Sequence, residues 1–220
     1  IMSVYNAENT IESSVKSNLN QAEVDLEFLI CDDASDDRTH LIITKLQKLD
    51  PRIKIFKNKT NIGLTKSLNL LLKKTEFSYV ARQDADDISV ENRLISQIRY
   101  IEHRNLVACT SLAITQQTNK IIPRYSAYFP LKLVIKYKNP FIHGTLMISK
   151  DALNNIGGYD ERFVYAQDYK LMQDLFLQNY KVGILKKPLY LLNIENNIST
   201  IHKEKQAYYA ECVRKKEIPL

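Results

Sequence analysis

At 220 residues, 45% hydrophobic and 25% charged, the chain can bury one sizeable core and has the charge content of an ordinary globular domain. No apolar run approaches the roughly 18 residues that span a bilayer, and no signal-peptide pattern opens the chain, whose first residues read as a strand already under way. The net charge of +6 points to anionic partners, but the basic residues are scattered and show neither an RNA-binding signature nor zinc-finger spacing, which argues against nucleic acid. Cys31, Cys109 and Cys212 are an odd number with no CxxC, a pattern of a reducing compartment rather than of disulfides or structural zinc.

Residues 1–5 (IMSVY) read as a strand, after which Ile11, Val15 and Leu19 recur at the four-residue steps of an amphipathic helix. The run LEFLIC (26–31) predicts a buried strand ending in the polar loop DDASDD. Ile42, Leu46 and Leu49 predict a second helix with those three inward, stopped at Asp50-Pro51 because the residue before a proline resists the helical conformation. A strand at 53–57, a turn at 61–63, a helix over 64–74 with Leu64, Leu68 and Leu71 or Leu72 inward, and a strand at 78–82 follow. Leu94, Ile98 and Ile101 mark another helix. This alternation implies a mainly parallel sheet with helices on both faces, and such sheets bind ligands beyond the carboxyl ends of their strands. Tyr5-Asn6, Asp32-Asp33 and Asp84–Asp87 all follow strands, so they are expected on one rim.

The second half is less regular. Residues 107–115 read as a strand and 116–119 as a turn, followed by a tyrosine-rich stretch (Tyr125, Tyr128, Tyr137) broken by Pro123, Pro130 and Pro140. NPFIHGTLMIS (139–149) leads into a strand, GGY (157–159) is a turn, and Leu171, Met172, Leu175 and Phe176 stripe a helix beginning near Asp168. The basic tail, Lys203 to Lys216, reads as a solvated helix face or as a segment drawn to an anionic membrane surface.

The segment ARQDADDIS (81–89) holds three carboxylates within four positions. Two carboxylates spaced D-x-D after a strand suit a hard divalent cation, since Mg2+ or Mn2+ takes one or two protein carboxylates and completes its shell with water and substrate phosphate. The competing reading makes Asp86 or Asp87 a helix N-cap with no metal. Asp32-Asp33 is likewise either a polar turn or an acceptor for a base N–H or ribose hydroxyl. Arg82 either pairs with Asp84 or reaches a phosphate, and Asp168 alone could be an N-cap or a helix-dipole partner. With 5 glycines and neither G-x-G-x-x-G nor a Walker loop, the chain must hold any phosphate by cation and side chains.

SVYNAENTIESSVKSNLNQ, EFLICDDASDD, NIGLTKSLN, YVARQDADDIS..NRL..Q, NPFIHGTLMISKDALNNIGGYDERF and AQDYKLMQDL stand in the order of a family 2 glycosyltransferase of the bacterial surface-polysaccharide type, and the chain resembles that family over about residues 1–200. The resemblance implies the GT-A fold, a Rossmann-like sheet flanked by helices with a smaller acceptor-side region. It divides the chain into a nucleotide-binding half (1–105), an acceptor-binding half (106–200) and a basic helical extension (201–220). It implies inverting transfer from a nucleotide-sugar, UDP-linked, to a glycan or lipid-linked acceptor, with Mn2+ or Mg2+ as cofactor. By the same resemblance Tyr5, Asp32, Asp33, Arg82 and Asp84 line the nucleotide-sugar, Asp84 and Asp86 serve the metal, Asp168 is the catalytic base, and His143 lies on the acceptor side.

Departures from the family pattern are Gln167 for a glutamate before Asp168, Gln173 for an arginine, and Leu192 and Ile194 where LLNIENNIS usually carries an Arg-x-His pair. These losses leave room for a non-catalytic transferase domain, and strand-end carboxylates also occur in metal-dependent nucleotidyltransferases. The nucleotide-sugar donor and the missing signal place the protein in the cytoplasm, with peripheral contact to the inner face of the membrane.

Overall fold

The computed structural model describes residues 1–195 and 201–219; the end of the LLNIENNIS stretch lies outside them. The first half alternates strand and helix: β1 (Met2–Val4), α1 (Ile11–Leu19), β2 (Phe28–Asp32), α2 (Thr39–Leu49), β3 (Ile53–Lys57), α3 (Leu64–Leu72) and β4 (Tyr79–Ala81). The strands β1, β2 and β3 form a parallel sheet in that order, with Val4 opposite Asp32 and Asp32 opposite Lys57. All five residues of β2 are buried because helices cover both faces: Phe28 and Ile30 join the core under α1 and α2, while Leu29 and Cys31 meet Leu71 of α3.

Then follow β5 (Ile88–Ser89), α4 (Arg93–Arg104), β6 (Ala108–Thr115), β7 (Ile121–Ile122), a 3-10 turn at Tyr125–Tyr128, and α5 (Leu131–Val134). A second 3-10 turn at His143–Thr145, β8 (Met147–Ser149), α6 (Lys150–Asn155), α7 (Gln167–Leu177), β9 (Val182–Leu192) and α8 (Lys203–Lys215) complete the order. The second sheet runs β4-β8-β6-β9-β5 and is mixed: β6 and β9 are parallel, while β8 is antiparallel to both its neighbours. β7 hangs antiparallel on β6. The two sheets meet at Ile1, whose carbonyl accepts from the Gln83 N–H at 3.1 Å, so the chain leaving β4 continues alongside β1.

The expected inward faces hold for α1, α3, α4 and α7, where Val15, Leu68, Ile101 and Leu175 are almost fully buried. The second helix differs. Thr39, Ile43 and Leu46 face inward while Leu49 is 82% exposed, because the helix ends there and the rotation set by Thr39 carries that last position outward. Asp86 and Asp87 are not helix caps either, since β5 follows them and α4 begins after Asn92. The basic C-terminal segment is helical and is docked rather than free: Cys212 and Val213 are buried in the large core that also holds Leu171 and Leu175 of α7. All three cysteines are free and buried.

Candidate active site

The loops after β1 and β2 are laced together. The Asn6 N–H donates to Ser35 Oγ at 3.1 Å, the Ala7 N–H to Thr39 Oγ1 at 2.8 Å, and the Asp36 N–H to Asn6 Oδ1 at 3.0 Å. This leaves the Tyr5 side chain half exposed on the rim. Asp32 is fully buried; its Oδ1 accepts from the Ser35 N–H at 2.9 Å, and its Oδ2 lies 2.9 Å from His40 Nδ1 and 3.7 Å from Lys57 Nζ. Asp33 is also buried, with Oδ1 accepting from Asn58 Nδ2 at 2.7 Å and the Ile62 N–H at 2.9 Å, and Oδ2 accepting from the Gly63 N–H at 2.8 Å. Its oxygens are matched to donors of the chain itself, so Asp33 enters the rim as the residue that fixes the 58–63 loop. Gly63 has φ of +89°, which lets the backbone turn its N–H to that carboxylate.

The loop after β4 is built differently. Gln83 is buried and serves as its hub, donating to Ser14 Oγ at 3.0 Å, to the Asp84 carbonyl at 3.1 Å and to the Asp87 carbonyl at 2.9 Å. Its Oε1 accepts from Ser89 Oγ at 2.8 Å and from Arg93 Nη1 at 3.2 Å. Arg93, wholly buried at the start of α4, also donates to the carbonyls of Gly144 at 3.1 Å and Arg82 at 2.9 Å and lies over the Tyr190 ring. Tyr190 Oη in turn accepts the Asp84 N–H at 3.0 Å.

Arg82 pairs with Asp84: Nη2 reaches Oδ1 at 2.6 Å, and Nη1 donates to the Gln83 carbonyl. Burial works against the Arg82 charge, and the Asp84 carboxylate more than restores it, so its pKa lies above the usual arginine value. The other two carboxylates have no such partner. Burial, then the charge of Asp84, raises the Asp86 pKa above the usual carboxylate value. Asp87 is buried, accepts the Asn193 N–H at 2.6 Å, and is pushed up to about 8 by burial and by Asp84 and Asp86. Gly144 closes this wall, because a Cβ there would stand 2.6 Å from Tyr190 Oη and 2.7 Å from Asp84 Oδ2.

Asp168 sits in the first turn of α7, and its Oδ2 accepts from Asn139 Nδ2 at 2.7 Å. Burial is the main cause raising its pKa to about 6; N–H groups of the helix start oppose the rise and the charge of Asp84 adds to it. The residue before the helix, Ala166, is held at φ of +50°, a left-handed conformation that costs a side-chain-bearing residue about 1–2 kcal/mol. Its N–H donates to Gln206 Oε1 of α8 at 3.1 Å. His143 Nε2 lies 2.8 Å from Tyr159 Oη, and burial, then Arg82, lowers its pKa to about 3, so the imidazole is neutral.

Arg82, Asp84, His143, Tyr159 and Asp168 thus form one electrostatic neighbourhood. Tyr5, Asp32 and Asp33 stand apart from it on the rim of the parallel sheet, joined to the acidic loop through Ser14 of α1, whose Oγ donates to the Asp84 carbonyl at 2.7 Å. Gln83, Arg93, Asn139, Gly144, Tyr159 and Tyr190 have no role in the sequence reading. All but Tyr190 stand inside the quoted motifs, and the signal for Arg93 was an arginine on a helix face otherwise expected to be apolar.

A three-stranded parallel sheet beside a mixed sheet, an acidic loop after β4 and a carboxylate at the start of α7 form the arrangement of a GT-A glycosyltransferase. S. aureus TarS 1-349 in complex with UDP has the same fold, with a TM-score of 0.78 at 21% identity over 97% of this chain and 63% of that one. The mannosyltransferase PcManGT from Pyrobaculum calidifontis, in complex with GDP-Man and Mn2+, gives 0.76 at 16% identity, covering 99% of this chain and 64% of that one. Residues 1–157 match the family model of glycosyl transferase family 2, and the chain belongs to that family. It is 31% identical over 182 residues to the Escherichia coli UDP-Glc:alpha-D-GlcNAc-diphosphoundecaprenol beta-1,3-glucosyltransferase WfgD, covering 81% of this chain and 69% of that one. It is 29% identical over 219 residues to the E. coli O-antigen biosynthesis glycosyltransferase WbnJ, covering 96% of this chain and 84% of that one. The chain spans less than two thirds of the length of the TarS and PcManGT chains.

No cluster of three or more potential metal-binding His, Cys, Asp or Glu side chains occurs among the described residues. A cation that binds through one or two carboxylates plus diphosphate oxygens, as Mg2+ and Mn2+ do, does not require such a cluster. Asp86, half-buried beside Asp84 with its charge disfavoured, fits such an ion.

Proposed function

We propose that the protein transfers a sugar from a nucleotide-sugar of the UDP type to a hydroxyl of a glycan or lipid-linked acceptor, with inversion, in bacterial surface polysaccharide or glycolipid synthesis. The observation that carries this reading is Asp168, a carboxylate with pKa raised to about 6, held by Asn139 within the field of Asp84. Such a group is ionised at neutral pH yet basic enough to accept a proton, which suits a general base. Similarity to WfgD and WbnJ supports the donor type and the pathway class.

Tyr5 stands where a base can stack, and Asp32 and Asp33 fix the loops around it. Asp86, with Asp84, would hold Mn2+ or Mg2+, which when bound supplies positive charge to the leaving diphosphate. Arg82 holds Asp84 in place. Asn139 orients Asp168, which takes the proton of the acceptor hydroxyl as that oxygen bonds to the anomeric carbon and the bond to the diphosphate breaks. Neutral His143 orients Tyr159 and lines the acceptor side without competing for the proton. One base suffices, since a single displacement has no covalent intermediate.

The test is thermal stabilisation by a panel of nucleotide-sugars with and without Mn2+, followed by product analysis. A UDP-sugar is expected to raise the melting temperature in a Mn2+-dependent way. Asp168→Asn is expected to keep that response and lose about 100- to 10,000-fold in transfer rate. Because the Asp168 pKa is about 6 and the ionised form acts, wild-type kcat/KM should fall as pH drops through 6. Retention at the anomeric centre, or full turnover by Asp168→Asn, would overturn the mechanism.

A further inference from the structure

No aspartate or glutamate occurs between Glu102 and Asp151, while Lys120, Arg124, Lys132, Lys136 and Lys138 fall in that interval. The fold gathers the middle of this stretch, the turn at Tyr125–Tyr128 and α5, into one surface. On it Tyr125, Tyr128, Phe129, Leu133 and Tyr137 are between 56% and 75% exposed. Single exposed apolar side chains are ordinary, but five large ones within residues 125–137 form a patch that calls for a partner. Arg124, Lys132, Lys136 and Lys138 are exposed among them.

The patch is firmly mounted. Ser126, Ala127 and Ile135 are buried beneath it, and Tyr169 Oη of α7 donates to the Ile135 carbonyl at 2.7 Å. Lys186 lies 4.8 Å from the centre of the Tyr128 ring and donates to the Ala127 carbonyl, while Arg124 lies over the Tyr125 ring. Tyrosines have an apolar body and a polar tip, which suits the headgroup layer of a bilayer. Interleaved cations with no carboxylate among them complement the negative potential of anionic lipids.

We infer that this aromatic and basic face docks on an anionic lipid surface. Tyr125, Tyr128, Phe129 and Leu133 enter the headgroup layer, and Lys132, Lys136 and Lys138 face the lipid phosphates. Asn139, which holds Asp168, directly follows Lys138, so docking brings the base side of the site to the membrane. The contact lies on the acceptor half rather than on the basic terminal helix.

Co-sedimentation with phosphatidylcholine vesicles, with and without phosphatidylglycerol, tests this without any donor, so its outcome is separate from that of the transfer assay. Binding is expected only with phosphatidylglycerol and is expected to weaken as salt is raised. The triple variant Lys132→Glu, Lys136→Glu, Lys138→Glu should bind at least tenfold more weakly, since each cation at such a surface contributes roughly fivefold. Tyr128→Ser with Phe129→Ser should weaken binding at unchanged charge. A control, Lys203→Glu with Lys205→Glu on α8, should bind within about twofold of wild type by the same per-residue reasoning if that helix stays off the surface. Melting temperature and donor stabilisation report that each variant is folded. Wild-type binding by the face variants, loss of binding by the control alone, or self-association through the patch with no vesicle binding would each overturn the inference.

Discussion

DDASDD begins at the last residue of β2 and DADD lies just beyond β4, two acidic clusters at strand ends in different sheets, yet the fold supplies them very differently. Asp33 receives three donors from the 58–63 loop, and Asp32 receives the Ser35 N–H with His40 and Lys57 beside it. Behind the second cluster stands Arg82, which serves Asp84, and two further carboxylates with charges disfavoured by burial. Like charges in sequence therefore mean little until donors are counted. Asp33, whose oxygens the chain matches, is architecture, whereas the second cluster, left short of positive charge, is where the proposed cation would act.

The largest effect expected from this contrast is on stability at the first cluster. Asp33→Ala removes three hydrogen bonds to a charged acceptor and strands the Ile62 and Gly63 N–H groups, so a loss of about 3 kcal/mol or more in denaturant unfolding is expected. At the second cluster, Asp86→Ala should leave the apo melting temperature unchanged or raised. It should abolish the Mn2+-dependent part of donor stabilisation, which as a whole amounts to about 2.7 kcal/mol for a ligand at 100 times its Kd. A stable Asp33→Ala or a persistent metal effect in Asp86→Ala would break the contrast.

Gly144→Ala drives a Cβ against Tyr190 and Asp84, and overpacking of this kind costs about 1–3 kcal/mol. Asp87→Asn should change stability least, by under about 1 kcal/mol at pH 7, because the neutral carboxyl is already favoured and the oxygen accepting the Asn193 N–H is kept. If it destabilised as strongly as Asp33→Ala, the two clusters would be alike after all. Asp168→Asn sharpens the sign. The folded pKa of about 6 lies above the ordinary carboxylate value, so ionising Asp168 costs the fold stability progressively as pH rises from about 4 through 6. This variant should therefore be no less stable than wild type at pH 7, measured by urea midpoint.

Local periodicity made the first half readable: Ile11, Leu68 and Leu94 lie where helical spacing puts them. Tyr5, Asp33 and Asp84 do follow β1, β2 and β4, but the single rim expected of them divides into two groups. Leu49 was misplaced because apolar spacing does not show where a helix stops presenting a buried face. The β6–β9 pairing joins residues some seventy apart, which no local pattern encodes. Gln83 was invisible for another reason: a polar residue that is buried and hydrogen-bonded looks in sequence like one that faces water, and Arg93 showed only as an arginine on a helix face expected to be apolar. The supply of donors, which separates the two acidic clusters, is likewise a property of tertiary structure alone.

The contact between Ala166 and Gln206 sets a positional tolerance for the chemistry. The strained residue that opens α7 is clamped by a helix forty residues further on, so the terminal helix acts as a jig for Asp168. Misplacing a catalytic group by about 1 Å can cost 100-fold in rate. With Asp168 as the proposed base, changes at the far end of the chain would register as lost turnover while donor binding is kept, and the last helix would belong to the active site without touching it.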